Sequence, residues 1–383
     1  MKRRDFIRVM GFSGGAFFLP PFLTMSDAVL AQEFWLDDLS KFEDIRLKLL
    51  AYAMLAPSAH NTQPWLIKLE AKQQFSLFVD QDRLLPETDP PARQIHISQG
   101  SFIENLDIAA QAFGYHMQVN YFPEGEYANN TIENKAVARF NLLENKNTQV
   151  DRLFKHIVAR SSNKRIYSNT PLSNEHIQSI ATLSTNDDLN LTVSNDKHLL
   201  QYLPPMLTQA MTIEVSKQQR DLETIRMFRF NNDEIEKYRD GLSIAQTGKT
   251  GLMKWMIERF FISREKAKAD DSKFAEQAVN LTERQAASTQ AFAWITSKTN
   301  TRLDQVLAGR LYERLNLLTT SLNVAQHPMS QILEEYADMA ELKAKFYERL
   351  NINSGETVQM LVRLGYASEI PHTPRRPVNS VLL

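Results

Sequence analysis

Polar side chains that could bind the edge of a flat heteroaromatic ring are concentrated in residues 56–65, A-P-S-A-H-N-T-Q-P-W, which we call the amide loop. It contains the carboxamides of Asn61 and Gln63, together with a hydroxyl and an imidazole group. Pro57 ends the preceding helix, since the residue before a proline is biased away from helical geometry. A strand-like run over 65–69 follows. The alternative is an ordinary helix-to-strand loop, in which Asn and Ser make turns.

Cations suited to a phosphate group occur in two further stretches. Residues 160–165 read R-S-S-N-K-R and alternate cations with hydroxyl groups, while residues 371–378 read P-H-T-P-R-R-P-V and follow a predicted strand over 360–366. Arginine suits this task because its planar guanidinium group donates two parallel hydrogen bonds to phosphate oxygens. The alternatives are a polar loop before a helix and a solvated C-terminal tail.

The amide loop, A-P-S-x-x-N-x-Q-P-W, resembles the loop by which nitroreductase-fold flavoproteins hold the isoalloxazine ring of FMN. The 160–165 stretch is similar to the phosphate-binding start of that domain, although Ser161 stands where the family often has Arg or His. The 371–378 stretch resembles its closing segment. D-P-P-A-R at 89–93 resembles a motif of the Acg-like subgroup. The resemblance therefore implies an α+β, nitroreductase-like fold that carries FMN.

The resemblance also assigns residues to cofactor binding. These are Pro57, Ser58, Ala59, Asn61, Gln63, Arg160, Ser161, Ser162, Arg165, Arg375 and Arg376. No side chain is assigned a catalytic role, because the flavin carries the redox chemistry. His60 is a candidate proton donor, and a neutral polar role within the loop is the favoured interpretation.

The composition excludes several classes of site. The chain has 383 residues, 43% hydrophobic and 23% charged, which is ordinary for a folded protein and long enough for two domains. A net charge of −1 argues against a nucleic-acid partner, since phosphate backbones require a basic surface. There is no cysteine, which excludes disulfides and thiolate chemistry. The eight histidines lack metal-ligand spacing, so we predict no metal.

Residues 1–31 are typical of an export signal, with a charged start, a short apolar run and small residues ending at Ala31. Arg3 and Arg4 are similar to a twin-arginine signal, although Lys2 stands where Ser or Thr is usual. We therefore expect cleavage near Ala31 and export of the folded protein to the periplasm by the twin-arginine machinery. An uncleaved membrane anchor is disfavoured because the apolar run is short and rich in Gly and Pro.

The remaining chain divides into two predicted halves, 32–150 and 151–383. The first half contains a helix over 40–55 with a capping box at Ser40 and Glu43, strands over 65–69, 75–80 and 137–143, and a helix over 100–110. In the second half, residues 309–317 resemble residues 100–108 in their glycine, glutamate and apolar rhythm. This similarity predicts two fused, related halves that form a pseudo-dimer. The alternative is that two amphipathic helices simply look alike.

Residues 215–287 form a charged, helical insertion that we interpret as a lid over a pocket; a pair of solvated helices is the alternative. Within it, G-K-T at 248–250 resembles the end of a phosphate-binding P-loop. The required glycine is missing, because position 243 is serine, so this motif is discarded.

By resemblance, the reaction is a two-electron reduction of a small-molecule acceptor such as a nitroaromatic or a quinone. Nicotinamide cofactors are cytoplasmic, so an exported reductase needs a donor that the sequence does not identify. The main alternative is a protein that binds or sequesters flavin with little turnover. A third interpretation, an interaction protein with an inactive fold, predicts no flavin at all.

The export signal can be tested by replacing Arg3 and Arg4 with lysine. The variant should remain in the cytoplasm, because a twin-arginine signal depends on the guanidinium pair and not on charge alone. Fractionation of cells into cytoplasm and periplasm measures the outcome. Export at the normal level would contradict the assignment.

Overall fold

The structure, a computed structural model, describes residues 39–383 except 146, 148, 184–187 and 270. The predicted signal over 1–31, with Arg3 and Arg4, lies outside the described residues. Within the described part of the chain, no helix combines the length and apolar character needed to cross a membrane.

In the described part of the chain, eight strands form two antiparallel sheets of four strands each. The first sheet has the order β1-β2-β4-β3, with strands Trp65–Leu69, Gln74–Val79, Tyr115–Tyr121 and Ala138–Glu144 for β1 to β4. The second has the order β5-β6-β8-β7, with strands Leu189–Ser194, Ala291–Ser297, Ala325–Pro328 and Thr357–Gly365 for β5 to β8. The two sheets thus share one strand order.

The described α-helices are α1 (Ile45–Ala53), α2 (Arg93–Ala112), α3 (Asn174–Ala181), α4 (Lys197–Val215), α5 (Gln218–Met227), α6 (Asn232–Tyr238), α7 (Gly251–Met256), α8 (Arg264–Ala269), α9 (Asp271–Ala287), α10 (Arg302–Ser321) and α11 (Ala340–Arg349). A π-helical turn, Ile257–Phe261, continues α7. The helices and the two antiparallel sheets confirm the predicted α+β class. Helices α5 to α9 occupy the predicted insertion.

The start of the first helix differs from the prediction. Helix α1 begins at Ile45, and its cap is Asp44, whose carboxylate accepts a hydrogen bond from the Arg46 backbone N–H at 2.9 Å. The predicted capping box at Ser40 and Glu43 does not begin this helix. The Asp44 side chain already caps the first turn of α1, so the Ser-x-x-Glu sequence at 40–43 is not the cap of this helix.

The two sheets are covered to different extents. Every residue of β6 is buried, with Ala293 and Ile295 facing one apolar cluster and Phe292 and Trp294 facing another, so the second sheet is covered on both faces. The edge strands β1 and β3 of the first sheet alternate between buried and more exposed positions, as strands with one covered face do.

Helices α2 and α10 cross at two glycines. A Cβ atom built on Gly100 would lie 1.9 Å from the carbonyl oxygen of Val306, and one built on Gly309 would lie 2.0 Å from that of Ile97. Each glycine therefore lets the backbone of the other helix approach closely. These are the two glycines that the sequence comparison aligned. The duplication of the halves stays a prediction.

Ion pairs at one end of the crossing hold the two helices in register. Arg310 of α10 reaches Glu104 and Asp107 of α2, each at 2.6 Å, and Arg314 reaches Glu104 at 2.7 Å. Glu104 is nearly fully buried, so these contacts are screened little by solvent.

The chain leaves the second sheet after β8 and crosses to the first sheet as a C-terminal tail, residues 366–383. It ends beside β1, where Leu382 bridges Ile67 in parallel and the Leu383 N–H donates to the Ile67 carbonyl at 2.8 Å. This crossing carries Arg375 and Arg376 from the second sheet toward the amide loop.

The helix crossing can be tested with Gly309→Ala. Alanine in a helix interior normally stabilises by about 1 kcal/mol relative to glycine, but here its Cβ would meet backbone. We expect a loss of roughly 3 kcal/mol or more in the free energy of unfolding, measured by denaturant titration. The control Ala112→Gly, at the end of α2, should cost only about 1 kcal/mol. A stabilising effect of Gly309→Ala would contradict the close approach.

Candidate cofactor site

A cavity of about 260 Å³ lies between the amide loop, the 157–164 segment, the insertion and the C-terminal tail. The predicted site residues that line it are Pro57, Ser58, Ala59, Asn61, Arg160, Ser161, Ser162, Arg375 and Arg376. Gln63 and Arg165 do not line it. The fold thus brings together three stretches that lie far apart in the sequence.

The amide loop is held in an unusual backbone conformation. His60, Asn61 and Gln63 have positive φ angles of 45°, 55° and 52°, in the left-handed region that residues other than glycine seldom occupy. Hydrogen bonds fix this shape, since the Ser58 hydroxyl accepts from the Gln63 backbone N–H at 3.0 Å and the Ser98 hydroxyl accepts from that of Ala59 at 3.2 Å. The loop therefore presents a rigid wall to the cavity.

Asn61 lines the cavity and has a hydrogen-bond acceptor that no described residue uses. Its amide nitrogen donates to the Gly241 carbonyl at 3.2 Å, while its buried Oδ1 has no partner among the described residues. An unpartnered buried acceptor costs free energy unless a ligand satisfies it. This side chain suits a ligand that offers a hydrogen-bond donor.

Gln63 joins three segments of the protein. Its amide nitrogen donates to the Arg239 carbonyl at 2.8 Å, and its oxygen accepts from the Arg376 backbone N–H at 2.8 Å. The side chain is fully buried and links the loop to the insertion and to the C-terminal tail. The prediction that it contacts the cofactor is not supported by this position, because both ends of the amide are already bonded to protein.

The strongest anion-binding feature is the arginine pair, Arg160 and Arg375. Both guanidinium groups donate to the Leu55 carbonyl, at 3.1 Å from Arg160 and 3.4 Å from Arg375. Nε and Nη1 of Arg160, and Nε of Arg375, are buried without a partner among the described residues. Burial, and then the nearby Arg160, lower the pKa of Arg375. Two adjacent cations with free donors favour a phosphate group between them.

The other predicted arginines have structural partners. The guanidinium of Arg165 lies against Gly248, where an added Cβ would come within 2.3 Å of its Cζ, and it donates to the Glu369 carbonyl at 3.3 Å. Arg376 lines the cavity but donates to the Gln63 carbonyl at 3.0 Å and pairs with Asp80 at 3.4 Å. Arg165 has a buried Nε without a partner among the described residues, but it does not line the cavity, and Arg376 lines the cavity with its guanidinium group already bonded to protein.

Glu313, on α10, lies beneath the arginine pair. Its carboxyl oxygen is 3.7 Å from Nε of Arg160, which is too long for a hydrogen bond, and the side chain is fully buried. Burial raises the pKa of Glu313 to about 8, against the opposing effect of Arg160. The carboxyl group is therefore mostly protonated at neutral pH, which leaves the positive charge of the pair available to a ligand.

A second group of titratable side chains lines another part of the cavity. Burial, followed by the charge of Lys164, lowers the pKa of His60 to about 4, and burial lowers the pKa of Lys164 itself to about 8. His327, also on the wall, has a pKa well below its ordinary value because it is buried beside Arg363 and Lys164. His60 is thus neutral at physiological pH, as the favoured interpretation of this residue requires.

Sequence reasoning missed several cavity residues. Lys164 lies inside the 160–165 stretch and His372 inside the 371–378 stretch, so their position in these motifs could have identified them. Glu214 and Glu334 also line the cavity, with pKa values raised by burial, but nothing in their local sequence distinguishes them from solvated residues. Glu313 looks locally like one more polar position of an amphipathic helix.

Comparison with known proteins gives a match that spans most of the chain. It is a protein of Mycobacterium tuberculosis strain H37Rv named "Putative NAD(P)H nitroreductase", 24% identical over 340 residues, which cover 87% of this chain and 89% of the relative. A shorter match, 34% identical over 80 residues, covers 21% of this chain and 24% of a mycobacterial protein that has the same description and the gene name acg. No family model matches.

Among solved structures, the chain is similar to the FMN-dependent nitroreductase NfnB from Mycobacterium smegmatis in complex with NADPH. The identity is 13%, the coverage is 59% of this chain and 94% of the other, and the TM-score is 0.34.

The protonation of Glu313 predicts a pH dependence for FMN, the cofactor that the resemblance implies. FMN affinity should fall as the pH rises from about 7 to about 9, because ionised Glu313 adds negative charge beneath the phosphate. Glu313→Gln keeps the shape but cannot ionise, so its affinity should fall less over the same range, and the fall that remains comes from loss of charge on Lys164. Fluorescence titration with FMN at each pH measures this. Equal slopes for the two proteins would contradict the role of Glu313.

Proposed function

We propose that this chain is an FMN-dependent oxidoreductase of nitroreductase type that reduces a small acceptor, such as a nitroaromatic or a quinone. The observation that carries the proposal is the convergence of the amide loop and the arginine pair on one cavity, although Arg160 and Arg375 lie far apart in the sequence. Those two features match the two ends of FMN, a ring with polar edges and a phosphate group.

The residues present fit the cofactor. Free guanidinium donors on Arg160 and Arg375, with the hydroxyls of Ser161 and Ser162 on the same wall, would hold the phosphate group. The free Oδ1 of Asn61 and the fixed backbone of the amide loop would hold the ring edge. FMN, when bound, supplies two-electron transfer, while the chain binds it, orients it and excludes water.

The nitroreductase named above, which matches over 87% of this chain, supports the assignment to oxidoreductases. Its name makes reduced nicotinamide nucleotide the first electron donor to test. We also propose export to the periplasm through the twin-arginine signal, which would separate the protein from the cytoplasmic nicotinamide pool and require another donor. The two halves, in this proposal, form a pseudo-dimer with one shared site.

A flavin-binding or sequestering protein is the second candidate, favoured by one specific observation. Arg239, Leu242 and Gln246 of the insertion form part of the cavity wall, as the predicted lid would. Anaerobic mixing of the flavin-loaded protein with reduced nicotinamide nucleotides, and then with nitroaromatic or quinone acceptors, separates the candidates. Repeated turnover supports the enzyme, whereas loaded flavin without turnover supports sequestration.

The proposal predicts one FMN per chain. Among the residues that the structure describes, the amide loop and the arginine pair each occur once, which gives one complete site. Protein should purify with flavin absorption, and released FMN measured against protein concentration should give a ratio of about 1. A ratio near 2 would mean that a second site exists elsewhere.

Arg160→Ala tests the same site by mutation. It should lower FMN affinity by roughly 2–3 kcal/mol, because it removes a buried, charge-assisted donor. The matched control is Arg152→Ala, which removes an exposed arginine from the same region and should leave affinity unchanged. Circular dichroism checks that each variant folds. Full retention of FMN by a folded Arg160→Ala protein would move the phosphate group elsewhere.

A further inference from the structure

The helical segment formed by α7 and the π-helical turn buries charged side chains and exposes apolar ones. Lys254 is only 4% exposed, and its ammonium group pairs with the inward-facing Glu258 at 3.2 Å and also contacts the Asn232 side chain. Surface helices normally bury apolar residues and expose charged ones. Here an ion pair faces the protein instead.

The opposite side of this segment is apolar and open to solvent. We call it the outward apolar face; its members and their exposed fractions are Leu252 at 61%, Met253 at 56%, Trp255 at 54%, Met256 at 41%, Phe260 at 59% and Phe261 at 64%. Single exposed apolar residues need no explanation, but a contiguous group of this kind marks an interaction surface. Trp255 and Phe260 also contact each other, with ring centroids 5.9 Å apart.

Cations surround the outward apolar face. Lys249 precedes it, Arg259 projects within it, and Lys266 and Lys268 follow it, all exposed, against the single exposed acid Glu265 on α8. A basic segment with Trp, Phe and Leu on one side is the composition of helices that lie in the plane of a membrane interface. Tryptophan in particular favours the level of the lipid headgroups.

We propose that the outward apolar face docks the protein onto an anionic lipid surface, with the segment lying in the plane of the bilayer. A second copy of the chain fits less well, because in a two-fold contact the same patch meets itself and the cations around it would face the cations of the other copy. Anionic headgroups complement the same cations. The same insertion also contributes Arg239, Leu242 and Gln246 to the cavity wall, so docking would involve a segment that lines the cofactor site.

The test is co-sedimentation of the full chain with vesicles of phosphatidylcholine alone or with added phosphatidylglycerol. The wild type should bind the anionic vesicles. The combined variant Trp255→Ser, Phe260→Ser, Phe261→Ser should lower the partition coefficient by about tenfold or more, since large apolar groups drive interfacial binding. The control Leu143→Ser removes a 40% exposed side chain from β4 and should bind as the wild type does.

A second measurement does not depend on the combined variant. Brominated acyl chains should quench the fluorescence of Trp255 in the bound wild type, and Trp255→Phe should bind but lose that quenching. Arg259→Glu with Lys266→Glu should reduce the preference for anionic vesicles. The proposal is overturned if the wild type binds no vesicles, if the combined variant binds equally well, or if that variant only abolishes self-association in sedimentation velocity.

Discussion

The site depends on two guanidinium groups that are buried side by side. Arg160 and Arg375 donate to one carbonyl oxygen, that of Leu55, and both retain unpartnered N–H groups at the cavity. Adjacent buried cations repel each other and lose hydration, so the arrangement is costly without an anion. The nearby Glu313 is protonated near neutral pH and compensates only in part. Binding of a phosphate group would relieve this electrostatic cost.

The fold supplies the parts of this arrangement from distant segments. The crossing at Gly100 and Gly309 brings α10, and with it Glu313, under the arginine pair. The C-terminal tail reaches the first sheet through the Leu382 bridge to β1 and brings Arg375 to the end of α1. Gln63 ties the amide loop to the insertion and to the tail. Several helices and loops therefore meet at the cavity, and no single one of them forms it.

Much of the fold could be predicted from local patterns, because strands such as Trp65–Leu69 and the long helix through Gly100 have clear apolar periodicity. Strand β3, Y-H-M-Q-V-N-Y, was missed because its face is largely polar. Nine of the eleven residues that the motifs assigned to the cofactor line the cavity. Gln63 and Arg165 do not line it, since a motif gives the residue type but not the direction of the side chain. Glu313 and Glu334 were missed because burial that arises from tertiary contacts leaves no local signal.

The central claim is that the arginine pair binds a phosphate group, and the most direct test compares FMN with riboflavin, which lacks that group. Calorimetric titration of the flavin-free protein should give an affinity for FMN that exceeds that for riboflavin by roughly 3 kcal/mol. This preference should largely disappear in a folded Arg375→Ala variant, while riboflavin affinity stays nearly the same. Equal affinities for the two flavins in the wild type would contradict the account.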